Sequence, residues 1–392
     1  MCLLYYFTKN NSIERFFQDF KDSPLCKNYT GRIEQIKNKP LPVLPEYLKN
    51  SLRTVEDTLK KVRPLILNYT NKIVDPILRG GIEIAYDLPW WHDRSFVLRS
   101  IMEAFGKKFE GRILDLAIST ELFYLSSIIF DEIVDNQETC MHIPTFWTRL
   151  SEGKDRTIGK FRAECIKEEL ETLSLKALVD LIRKHKVEST KAMNLIETWN
   201  EMKGSFYEGQ SLDLELQYKE NPKIKEGMNM IEKIEADPTK KMIEMASILT
   251  NLDKNSYEKA TKIGYLIGKA TKLRDDIVDF VGEFKALGKM PGGDLIISLK
   301  EGKYVFDNSN KTIPVILTIE AIKKGQIEIH GTDIYSYQKE KLIKKIKKSE
   351  VIDQSKNYLS KLIAETKILA NDLSGNKTSL ENIIKLLGDF SI

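Results

Sequence analysis

The stretch Glu121–Asp135, ELFYLSSIIFDEIVD, constrains the fold more than any other part of the chain. Nothing from Leu122 to Phe130 carries a charge, and then Asp131, Glu132 and Asp135 arrive together. The pattern predicts a buried helix that ends in carboxylates. Aspartates four apart stand one turn above the other on a single helix face. Two carboxylates converging there repel each other and resist burial unless a cation lies between them. All-oxygen donors suit a hard divalent ion such as magnesium. Taken alone, one such turn is more simply an exposed acidic helix end.

A second copy shifts that balance. Lys272–Gly282 reads KLRDDIVDFVG and sets Asp275, Asp276 and Asp279 one turn apart on another apolar helix. Two such clusters on two core helices can face each other across a cavity. Magnesium keeps several waters and commonly takes substrate phosphates as ligands, so paired clusters predict a diphosphate-binding site.

Composition narrows the function classes. Lys and Arg total 61 against 57 Asp and Glu, a net charge of +4 that is too balanced to argue for nucleic acid or an anionic membrane as partner. Cys2, Cys26, Cys140 and Cys165 lack metal-ligand or disulfide spacing, which suits a reducing compartment. No apolar run is expected to reach the ~18 residues of a membrane span. The opening MCLLYYF lacks a basic leader and is short for a signal peptide, so a cytoplasmic protein is expected.

Periodicity is helical nearly throughout. Residues 1–45 read as an N-terminal extension closed by the prolines of KNKPLPVLPEY, and 46–392 as one all-α domain with a central cavity. Helices are expected at Tyr47–Arg63, Asp93–Lys107, Arg112–Val134, Thr157–Leu173, Ser174–His185, Val187–Glu215, Thr239–Leu249 and Ser256–Val281. Pro64 and Pro76 read as breaks. GKMPGGDL, Gly288–Leu295, reads as a glycine-rich loop. Another helix starts near Pro314, a lysine-rich amphipathic segment covers Tyr337–Leu369, and a short helix covers Leu380–Leu387. His142, His185 and His330 read as surface or packing residues, and no Ser-His-Asp or Cys-His arrangement competes.

Several blocks in order, ELFYLSSIIFDEIVD, GQSLDL (Gly209–Leu214), IGYLIGKATKLRDDIVDFVGE (Ile263–Glu283) and GKMPGGDL followed by EGK and TIP, together resemble the polyprenyl synthetase family of trans-isoprenyl diphosphate synthases. The resemblance runs from about Arg63 to the C-terminus. It implies a helical bundle of the isoprenyl diphosphate synthase and class I terpene synthase type, and a homodimer.

The same resemblance implies three magnesium ions that clamp an allylic diphosphate. Asp131, Asp135 and Asp275 would be ligands, with Asp279 supporting. Glu132 stands where the family usually has a second aspartate. Lys289 and Lys303 match lysines that reach the diphosphate, and Gln210 matches the glutamine of the GQ motif.

The departures concern the family's second, homoallylic diphosphate. Its GKRxRP region falls on WWHDRS, where only one arginine survives as Arg94. Its histidine is Tyr124, its arginine pair is Cys140-Met141, its KT lysine falls near Pro238, and its FQ is Thr271-Lys272. Burying a second diphosphate without paired cations costs several kcal/mol, roughly. The expectation is therefore a class I terpene synthase that ionises a C15 or C20 allylic diphosphate and cyclises or quenches the cation. Trp90, Trp91, Phe123, Tyr124 and Phe130 would stabilise cations by their π faces, although each is individually better explained as core packing. The alternatives are a trans-prenyltransferase using isopentenyl diphosphate through displaced lysines such as Lys240 and Lys272, or another acceptor, and a non-catalytic partner subunit.

Tail length is expected to follow Ser126 and Ser127. In the resembled family the positions four and five before the first aspartate line the tail pocket. Two small residues leave Phe123, two turns down, as the first bulky floor, about 12 Å below Asp131.

Overall fold

The computed structural model describes residues 45–73, 79, 93–140, 143–151, 155–282, 292–300, 303–306, 308–329 and 339–390. The N-terminal extension, Lys289, Trp90 and Trp91 lie outside them. The chain packs as two compact units. One comprises residues through Ile196 with Ile248–Asn251 and Gly375–Ile383, and the other Glu197–Ser247, Leu252–Ser374 and Ile384–Ile392.

The first unit holds α1 (Glu46–Thr70), α2 (Asp93–Ala104), α3 (Gly111–Val134), the hairpin β1 (Thr139–Cys140) and β2 (Ile143–Pro144), α4 (Phe146–Ser151) and α5 (Arg156–Lys184). α6 (Ser189–Gln217) begins there. α3 is apolar on every side, so it is the core: Leu116, Ile118, Leu122, Leu125 and Ile129 are all buried. α5 packs along it, and α1, α2 and α4 complete the shell. By length and composition α3 would suffice to cross a membrane, contrary to the expectation from sequence, but 72% of its most apolar window is buried inside this unit.

Two helix breaks expected from sequence do not occur. α1 continues through Pro64 to Thr70 because its buried stripe, Val55, Thr58, Val62, Ile66 and Thr70, keeps helical spacing across the proline. Lys60, whose carbonyl loses its partner, is exposed to water. α5 likewise runs unbroken past Ser174. That serine donates to Ser119 O at 2.7 Å and Ser119 donates to Ser174 O at 2.8 Å, a reciprocal pair that joins α3 to α5.

The second unit is built around α9 (Lys254–Val281). Against α9 pack α10 (Ile313–Lys323), α11 (Lys339–Lys348), α12 (Glu350–Asn371), and α7 (Ile224–Ile231) with the π-helical segment Glu232–Ala236 that follows it. α8 (Asp237–Thr250) continues directly from the π-helical segment, with Pro238 inside the continuous helical run. α13 (Thr378–Gly388) is divided, with its residues to Ile383 in the first unit and the rest in the second, and β3 (Ser298–Lys300) pairs with β4 (Lys303–Val305). α7 and the π segment have no counterpart in the sequence expectation. The lysine-rich segment is two helices, divided where Ser349 accepts from Val351 N and caps α12.

Two glycines are required by close approach. A Cβ on Gly268 would stand 2.6 Å from Glu235 O, and one on Gly209 2.6 Å from Ile234 N. The glycine of GQSLDL therefore lets α6 lie against the π segment.

Lys311 is fully buried, and its ammonium donates to Gln217 O at 2.8 Å, Phe306 O at 2.7 Å and Ser309 O at 3.3 Å. It satisfies the C-terminus of α6 and the approach to α10 with one charge. Lys311→Met is expected to lower the urea unfolding midpoint by the equivalent of about 3 kcal/mol, because it strands buried carbonyls.

Candidate functional site

The first acidic turn lies at the end of α3. Asp131 and Asp135 are both half-buried, and the Asp135 N–H closes on Asp131 O at 2.9 Å. Gln137 Nε2 donates to Asp135 Oδ2 at 3.0 Å. Glu132 is buried and turned elsewhere. Its carboxylate accepts from Phe146 N at 2.8 Å, and its carbonyl accepts from Trp147 Nε1 at 3.1 Å. Glu132 thus braces the start of α4, and its extra methylene relative to aspartate gives the reach. Burial pushes its carboxyl up to about 7, against the pull of the Phe146 amide and the Arg149 charge.

The surviving arginine of the expected homoallylic region lies in the same unit. Arg94 is buried, and its guanidinium carbon lies 3.9 Å from the centroid of the Tyr124 ring. The start of α2 is held by Glu121, which accepts from Ser95 N at 2.5 Å. Phe130 faces a cation too. The buried Lys167 ammonium lies 5.4 Å from its centroid and pairs with Glu164 at 3.2 Å, Glu168 at 2.6 Å and Glu171 at 3.5 Å. One face of each of these two rings is thereby covered by a protein cation. Phe123, Ser126 and Ser127 are buried, and both serine hydroxyls turn back onto their own helix, to Phe123 O at 2.5 Å and Tyr124 O at 2.7 Å. Those positions present small, largely apolar surfaces.

The second acidic turn lies in the last two turns of α9. Asp275 and Asp279 are half-buried, whereas Asp276 is 2% exposed. Lys272 Nζ stands 3.3 Å from Asp276 Oδ1, and Asp276 Oδ2 has no hydrogen-bond partner. Burial pushes the Asp276 carboxyl up to about 7; Lys272 opposes this, and Asp294 and Asp279 add to it. Asp294 is a carboxylate that the sequence reading passed over, although it stands in the DL of the glycine-rich block. The chain returns to α9 just before it, where Gly292 N donates to Asp279 O at 2.7 Å. Gln210 is buried on α6 in this unit, and Lys303 lies on β4.

The displaced lysines are engaged with carboxylates. Lys240 pairs with Glu244 at 3.5 Å, and Lys241 with Glu201 at 2.6 Å and Glu244 at 3.0 Å. Together with the Lys272–Asp276 contact, this leaves the two cations named for a relocated homoallylic site bound to acids of their own unit.

The donors fit magnesium. Both turns offer oxygen alone, and the unpartnered buried Asp276 Oδ2 marks a place short of positive charge. Among the described residues no three of His, Cys, Asp or Glu converge to hold an ion by side chains alone.

The polyprenyl synthetase family profile matches residues 49–349. The geranylgeranyl diphosphate synthase of Methanosarcina mazei is 23% identical over 70% of this chain and 77% of its own. Heptaprenyl diphosphate synthase component 2 of Bacillus subtilis is 22% identical over 75% of this chain and 76% of its own. Among solved structures, the geranylgeranyl pyrophosphate synthetase of Pyrococcus horikoshii superposes with a TM-score of 0.71 at 22% identity, covering 88% of this chain and 99% of that one. That likeness establishes the all-α fold.

Glu132→Ala is expected to cost about 1–2 kcal/mol by uncapping α4. Glu132→Gln keeps an acceptor for Phe146 N and is expected to melt, by circular dichroism at pH 7, close to the unsubstituted protein.

Proposed function

The chain belongs to the polyprenyl synthetase family, and on that premise we propose that it is a magnesium-dependent trans-prenyltransferase. It ionises an allylic prenyl diphosphate and adds isopentenyl diphosphate to it. The observation that carries this reading is the pair of acidic turns, each at the end of an apolar helix, both within the matched stretch. The names of the relatives, geranylgeranyl and heptaprenyl diphosphate synthases, favour prenyl transfer over the lyase chemistry expected from the sequence.

In this reading Asp131 and Asp135, at the end of α3, would hold magnesium, as would Asp275, with Asp279 in support, at the end of α9. Lys289, Lys303 and Gln210 serve the allylic diphosphate. Bound magnesium supplies positive charge to the departing diphosphate, which lowers the barrier to breaking the C1–O bond. The double bond of isopentenyl diphosphate then attacks C1, and loss of a proton gives a product one isoprene longer. Arg94, held on Tyr124, is the cation for the second diphosphate. Lys272 neutralises Asp276 in place of reaching substrate.

The terpene synthase reading keeps one observation in its favour, the absence of the family's basic cluster around Arg94. Against it stand Tyr124 and Phe130, whose ring faces already carry Arg94 and Lys167. We further propose a dimer of identical chains; the name "component 2" carried by one relative makes a dissimilar partner the alternative.

Incubating the purified protein and magnesium with geranyl, farnesyl and geranylgeranyl diphosphates, each with and without isopentenyl diphosphate, is expected to yield longer prenyl diphosphates only with the pair. Hydrocarbons or alcohols formed from the allylic substrate alone would reinstate the lyase. Asp131→Ala, Asp135→Ala and Asp275→Ala should each lower the rate about a hundredfold or more while helicity is retained. Undiminished activity in excess EDTA would sink the metal assignment.

Substrate length is the remaining proposal. Ser126 and Ser127 leave room for a C15 or C20 tail above Phe123, and Ser127→Phe should shift the preferred allylic substrate towards C10. An unchanged preference among C10, C15 and C20 diphosphates would show that the tail lies elsewhere.

A further inference from the structure

The end of α9 is closed in an uncommon way. Its cap, Gly282, is extended (φ −63°, ψ 164°) and so does not turn back to cover the last carbonyls in the left-handed manner of many helix ends. Those carbonyls are covered one at a time. Gly282 N donates to Val278 O at 2.8 Å and Gly292 N to Asp279 O at 2.7 Å. Lys347, on α11, donates from Nζ to both Val281 O and Gly282 O at 3.2 Å.

One turn before Lys347, on the same face of α11, Ile343 lies against Gly292. A Cβ on Gly292 would stand 2.1 Å from Ile343 Cδ1, and its φ of +68° also favours glycine. One face of α11 therefore holds both the residue that ends α9 and the residue at which the chain returns to it. Lys344, Lys345 and Lys348 are exposed, while Lys347 is half-buried. Its charge sits at the negative end of a helix whose last turns already carry three carboxylates.

We propose that α11 braces the second acidic turn and that Lys347 is a positioning residue for magnesium–diphosphate binding. The proposal rests on the prenyltransferase reading for its ligand. Helix ends fray from the last turn inward, so Asp279 is the carboxylate that loses its place first when the brace is removed, and Asp275, one turn deeper, the last.

The test compares Lys347→Met, Lys347→Arg and Lys347→Gln with Lys344→Met, an exposed lysine of the same helix. Calorimetric titration with inorganic diphosphate and magnesium is expected to show about tenfold weaker binding for Lys347→Met, the loss of one charge-assisted interaction. Lys347→Arg should bind within about threefold of the unsubstituted protein, and Lys344→Met should bind unchanged. Equal weakening by Lys344→Met and Lys347→Met would reduce the effect to net charge and overturn the proposal. Unweakened binding by Lys347→Met would overturn it too. If Lys347→Met does not fold, Lys347→Gln carries the same comparison. Amide exchange in the ligand-free protein separates the brace from the functional reading: residues 279–282 should exchange faster in Lys347→Met than in Lys344→Met. Failure of the unsubstituted protein to bind magnesium–diphosphate would refute the function, whereas unaltered exchange would refute the brace.

Discussion

Carboxylates at the ends of buried apolar helices are costly, and much of the local structure around α3 and α9 offsets that cost. Glu132 accepts from the Phe146 amide, and Lys272 meets one of the two Asp276 oxygens. The backbone beneath Asp279 is held by Gly292, and the end of α9 by Lys347. Asp131, Asp135, Asp275 and Asp279 stay half-buried, and one oxygen of Asp276 has no hydrogen-bond partner.

The cations tell a different story from the one their sequence positions suggest. Read along the chain, the loss of a lysine, an arginine and a histidine looks like the loss of a whole diphosphate site. In the folded unit the arginine that remains is buried and fixed by stacking on the residue that replaced the histidine. Lys167, which no motif marks, stacks on Phe130 beside the first acidic turn. Aromatic rings that carry protein cations are poorer candidates for stabilising a substrate carbocation.

Close backbone approach explains motifs that chemistry alone does not. Gly209 belongs to a block whose glutamine draws attention, yet its own role is to admit the π segment. Gly268 does the same from the opposite helix of that contact, and the π segment absorbs the irregularity just before Pro238. Lys311 then ties the far end of α6 to the start of α10 through three carbonyls. Gln210 and the second acidic turn belong to the same compact unit as these contacts.

The sequence by itself determined the all-α class, the course of α3 and α9, and the two acidic turns, because helical periodicity and an abrupt change from apolar to acidic are local signals that need no partner. It also marked the family through blocks whose order survives distant divergence. The sequence did not reveal that Pro64 is carried through by a continuous buried stripe, that Ser174 is spent on α3 and not on a break, or that Glu132 supports α4. It was equally silent on Asp294 beside Asp276 and on Lys347 at the end of α9. Apart from Pro64, each of these depends on a group supplied by residues 14 to 66 positions away, as with Phe146 for Glu132 and Val281 for Lys347. A side chain's role there is set by which backbone group arrives within hydrogen-bond reach, and only tertiary packing brings the two together.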